Sequence, residues 1–123
     1  MSLRGLLPLL TARPEFRRLR EQLAEGATGA QAPTISGVSE AARPYLVAAL
    51  ALEQSAPLLY VVRENEQVES VTQTLTSLVG RDVPVQSYLD RDALPYERLM
   101  PDRETVKARM QSLTLLTTHT SPL

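Results

Sequence analysis

The run Ala56-Pro57-Leu58-Leu59-Tyr60-Val61-Val62 carries no charge, and its one polar side-chain atom is the Tyr60 hydroxyl. Pro57 bounds it on one side and the polar stretch Arg63 to Gln67 on the other. Continuous apolar character over so short a segment is the pattern of a parallel strand covered on both faces. The neighbouring segments fit that expectation. Pro33-Thr34-Ile35-Ser36 reads as a first short strand, and DVPVQSYL, residues 82–89, reads as a third.

Between these runs the pattern turns helical. Ser39 stands as the cap of a helix running to about Gln54, on which Tyr45, Leu46, Ala49, Leu50 and Glu53 fall at helical spacing. Its many alanines allow close packing against a sheet. Asn65 is placed to cap the next helix. Val68, Val71, Leu75 and Leu78 form its buried stripe, and Gly80 ends it. A last helix starts near Asp102, with Val106, Met110, Leu113 and Leu116 as its apolar face. Upstream, Pro14 opens an amphipathic helix with Phe16, Leu19 and Leu23 on one side and Gly26 beyond its end. Residues 1–26 thus form an N-terminal helical segment, and residues 33–123 an α/β subdomain. Strands alternating with helices predict a three-layer, open, mostly parallel sheet, cut off before its last strand.

Bulk properties narrow the function. The chain has 123 residues, 43% hydrophobic and 22% charged, enough for one ordinary domain. A formal net charge of −1 and a pI near 5.8 argue against direct nucleic-acid binding. With no cysteine there is no disulfide and no thiolate metal site. The apolar N-terminal run is short, interrupted by Pro8 and lacks a small-residue cleavage site. No stretch reaches the roughly 20 apolar residues of a membrane span. The chain therefore reads as cytoplasmic.

GVSEAARP, residues 37–44, stands where a phosphate-binding loop would stand. A working loop needs glycines whose flanking N–H groups close on the phosphates, a lysine for the terminal phosphates and a hydroxyl for magnesium. Laid on Gly37, that pattern places Ala42 for the second glycine, Arg43 for the lysine and Pro44 for the hydroxyl. Pro44 offers neither hydroxyl nor N–H, and Glu40 adds negative charge where phosphate would rest. The residues alone leave an ordinary strand-to-helix turn and a relic loop both open. A small nucleotide-binding NTPase is the alternative they disfavour. The loop after residue 90 has two readings as well. In DALPYE, residues 92–97, Leu94 and Tyr96 flank the stiff Pro95, and Tyr96 can bury its ring with its hydroxyl wet. These two residues either pin the loop to the body or offer a rigid surface to a partner.

Asp92-Ala93-Leu94-Pro95-Tyr96-Glu97, then Met100-Pro101-Asp102, then Arg109 and Leu113 resemble a stretch near the N-terminus of bacterial transcription-repair coupling factors (Mfd). The segments around Ile35 to Ser39, Leu59 to Val62 and the early LRGLLPLL are family-like too. Ala93 and Met100 depart from the usual threonine and serine. The resemblance implies a module similar to the B subunit of the excision-repair nuclease: a P-loop NTPase-like fold with a degenerate nucleotide site. That subunit's damage-probing hairpin is absent, since only about a dozen residues separate the segments that would flank it. The implied role is a non-catalytic scaffold, with no cofactor of its own, that packs against other domains of the same chain. In that family ATP and magnesium serve motor domains, which translocate on DNA and displace stalled RNA polymerase. The repair A subunit is recruited through an adjoining domain. The positions carried over as interaction or structural residues are Asp92, Leu94, Pro95, Tyr96, Glu97, Pro101 and Arg109.

Overall fold

The computed structural model describes residues 3–26, 32–81, 83–90 and 102–120. A single 3-10 turn, Leu3–Leu6, leads into α1 (Leu7–Thr11) and α2 (Pro14–Ala24). A second 3-10 turn, Glu40–Ala42, leads into α3 (Arg43–Glu53); α4 (Asn65–Val79) and α5 (Arg103–Thr120) follow. Local punctuation sets most of these limits. Pro14 occupies the first turn of α2, where its missing N–H costs nothing. Gly80 ends α4 with φ +68° and donates its N–H to the Thr76 carbonyl at 3.0 Å. Asp102 starts α5, its Oδ2 accepting from the Thr105 N–H at 3.2 Å and the Thr105 hydroxyl at 3.3 Å. Ser39 and Asn65 do not act as side-chain caps. Ser39 uses its carbonyl to close the 3-10 turn, and Glu64 holds the cap position of α4 without a side-chain bond.

The expected α/β sheet is not formed. The described residues contain helices and no strand, so the three-layer parallel arrangement and the P-loop NTPase-like fold implied with it are overturned. The physical reason lies in the pairing. A strand is completed by N–H and C=O groups of a neighbour. Among the described residues no backbone hydrogen bond joins any two of the segments 33–36, 56–62 and 83–89. The run 56–62 is not covered on both faces either. Leu59 and Val61 are 81% and 78% exposed, while Tyr60 and Val62 are half-buried. Along 83–90 burial alternates residue by residue: Val83, Val85, Ser87 and Leu89 turn inward, and Pro84, Gln86, Tyr88 and Asp90 turn outward. The two-residue period is therefore present, but helices satisfy it instead of a ladder.

The core is a helix–helix contact. Ala48 and Ala49 of α3 are fully buried with Leu78 and Val79 of α4, joined by Leu7 of α1 and Phe16 of α2. The alanines expected to lie on a sheet instead let α3 and α4 approach closely. Val83 and Val85 close the cluster on one side. The stripe read on α4 is inward-facing, with Val68, Val71 and Leu75 half-buried and Leu78 buried, and Val79 adds to it. The apolar face read on α5 is open: Val106, Met110, Leu113 and Leu116 are exposed, and Ser112 is buried at 8%.

Candidate functional site: the loop before α3 and the open face of α5

The loop begins at Gly37, exposed and with φ +76°, a conformation that suits glycine and makes the bend. The chain then winds into the 3-10 turn. The Ala42 N–H donates to the Ser39 carbonyl at 2.9 Å, so it is turned into the backbone instead of into a phosphate cradle. Ala42 is half-buried, Arg43 is exposed as the first residue of α3, and Pro44 is buried beneath it. The Gln67 side-chain amide donates to Glu40 Oε1 at 3.3 Å, which ties the turn to α4. A carboxylate held at this turn disfavours a triphosphate by like-charge repulsion. What the loop does in this fold is start α3 and fasten it to its neighbour.

Six of the positions carried over by resemblance, Asp92, Leu94, Pro95, Tyr96, Glu97 and Pro101, lie outside the described residues. Arg109 lies within them and is half-buried. Its Nη1 donates to the Leu89 carbonyl, its Nη2 donates to the Tyr88 hydroxyl at 2.6 Å, and its guanidinium carbon stands 4.0 Å from the Tyr88 ring centroid. One planar group thus grips a carbonyl, a hydroxyl and an aromatic face together. One turn along, the Ser112 hydroxyl shares its contacts between the Ala108 carbonyl at 3.0 Å and the Ser87 carbonyl at 3.2 Å. Residues 87–89 are therefore fixed along one side of α5. Tyr88 and Ser112 were not marked by any motif; a serine on the flank of an apolar helix is the only signal that could have pointed to them.

A face of α5 about a quarter-turn round the helix from that strap is apolar and open. Val106, Met110 and Leu113 recur at helical spacing and are 42%, 59% and 45% exposed. Arg103 and Lys107, also exposed, run along one edge of that stripe. A depression between α1 and α3 is lined by Arg4, Leu7, Pro8, Thr11, Ala49, Leu52 and Glu53. Glu53 there already accepts from Arg20 of α2 at 2.9 Å.

No group of three His, Cys, Asp or Glu side chains comes together among the described residues, and none of their helices is long and apolar enough to cross a membrane. No family model, no curated protein and no solved structure matches the chain.

Proposed function

We propose that this chain is a non-catalytic scaffold subdomain of a transcription-repair coupling factor. In that reading it packs against other domains of its own polypeptide in the cytoplasm. Its parent is an ATP-dependent DNA translocase that displaces stalled RNA polymerase and recruits the excision-repair A subunit through the adjoining domain. The piece itself takes no cofactor, contacts no DNA and meets no membrane. ATP, magnesium, DNA and RNA polymerase belong to the parent's other domains.

The single observation that carries the reading is the open stripe Val106, Met110 and Leu113 on a helix braced along a neighbouring face by Arg109 and Ser112. A braced apolar surface suits a permanent neighbour, because its side chains are held before the partner arrives. The resemblance of residues 92–97 and 100–102 supplies the family. The described residues do not form the α/β module that the resemblance implies, and the reading rests on the loop chemistry only in that Ala42, Arg43 and Pro44 replace the phosphate-gripping groups.

Two measurements test it. Hydrogen exchange is compared on α5 in the purified 1–123 chain and in the product of the full native reading frame. Stronger protection of α5 in the longer chain is expected, and equal protection overturns the scaffold reading. Titration with magnesium-ATP addresses the enzyme alternative. Binding tighter than about 10 µM that is lost in Arg43→Ala establishes the nucleotide site instead.

A further inference from the structure

The charge pattern around the open face of α5 specifies a kind of partner, and this step rests on the docking role proposed above. Val106, Met110 and Leu113 form the stripe. Arg103 and Lys107 stand one turn apart along a single edge of it, both exposed, and neither is engaged by a carboxylate among the described residues. Glu104, the one acidic residue of α5, lies beyond Lys107 on the side away from the stripe. The remaining cation, Arg109, is turned to Tyr88 and Leu89. The exposed cations therefore stand along one edge of the stripe, while Arg109 beside the other edge is taken up by the strap.

We infer that this face receives an amphipathic helix whose apolar residues fill the stripe and whose carboxylates line one edge, opposite Arg103 and Lys107. Helix-in-groove docking supplies the apolar anchors at one-turn spacing. The one-sided cations set the partner's direction and register, because a helix laid the other way brings its carboxylates to the wrong edge. Two cations beside an apolar centre are too few for a nucleic-acid footprint. The stripe also lacks the tryptophan or phenylalanine that helps seat a helix in a lipid interface.

The test uses the whole 1–123 chain and three probes. One is a synthetic helical peptide of about 18 residues, the length of α5, with leucines at one-turn spacing and glutamates along one edge. The second is the same peptide with lysine for each glutamate. The third is a vesicle of phosphatidylserine and phosphatidylcholine. Binding is read by amide and Met110 methyl shifts. Expected is a roughly tenfold preference for the glutamate peptide at low salt, with shifts confined to α5, fading between about 0.05 and about 0.5 M salt. The double variant Arg103→Glu, Lys107→Glu reverses the preference while leaving the far-UV circular dichroism unchanged. Equal affinity for the two peptides overturns the acidic-edge inference and leaves the docking role standing. No shift on α5 with either peptide overturns both. Shifts with vesicles alone assign the face to a membrane surface and overturn the inference.

Discussion

The guanidinium carbon of Arg109 lies 4.0 Å from the centroid of the Tyr88 ring, and its Nη2 donates to the Tyr88 hydroxyl at 2.6 Å. The same side chain also holds the Leu89 carbonyl. Because α5 leaves its apolar face open, these polar contacts are what fix its orientation on residues 87–89. Arg109→Ala is expected to cost about 1–3 kcal/mol, the range for a charged hydrogen-bond donor with a cation–π contact removed. The loss should appear as faster amide exchange along α5, with α3 and α4 little changed. Arg109→Lys keeps the cation and loses the fork, so it should fall between wild type and alanine. Unchanged exchange in Arg109→Ala would show that the strap does not hold the helix.

The contact between α3 and α4 makes an opposed pair of predictions. Leu78 is fully buried, and Leu78→Ala should cost about 2–5 kcal/mol through lost transfer energy and the cavity left behind. Ala48, also fully buried, sets how closely the two helices approach. Ala48→Leu should cost about 1–3 kcal/mol by forcing them apart. Urea denaturation measures both. A stabilised Ala48→Leu would mean that the helices are not in close contact there.

Arg20 and Glu53 join α2 to the end of α3 at 2.9 Å, but the Arg20 side chain is about half exposed. Such a pair contributes roughly 0.2–1 kcal/mol and is screened by salt. Glu53→Gln should therefore lower the denaturation midpoint only slightly, and the difference from wild type should vanish at about 1 M salt. A loss as large as that of Leu78→Ala would assign the pair a structural weight that its exposure contradicts.

The contrast between these elements explains what the sequence made legible. Pro14, Gly80 and Asp102 mark helix ends because their effects act within one turn of chain, so the residues alone suffice. The α4 stripe is equally local. Residues 56–62 are different: an apolar run states a preference for burial, but a ladder needs a partner, and no residue in the run names one. The alanines of α3 fit a sheet or a helix equally well, and only the neighbour decides. On α5 the apolar period was readable, while its exposure depends on what packs there. The contacts of Arg109 and Ser112 with residues 87–89 span 20 to 25 positions, beyond any local pattern. The loop at 37–44 was readable as chemistry, since Pro44 lacks a hydroxyl and an N–H in any fold. Its closure through the Ala42 N–H was not.

Gly80 allows a comparison that separates backbone conformation from packing. Its φ of +68° and ψ of −138° place it in a region that only glycine enters at low cost. A Cβ added there would meet Arg4 Nη1 at 4.0 Å, an ordinary contact, so steric crowding contributes little. Gly80→Ala is therefore expected to cost about 1–3 kcal/mol from backbone strain alone. Gly5 sits in the first 3-10 turn without a positive φ, and an added Cβ there meets nothing within 4 Å. Gly5→Ala should be stabilising by about 0.4–1 kcal/mol, because it removes freedom from the unfolded chain. The two variants change the same atoms, so thermal melts that move in opposite directions assign the difference to the backbone. If both melted lower by similar amounts, the turn at Gly80 would have no special conformation to protect.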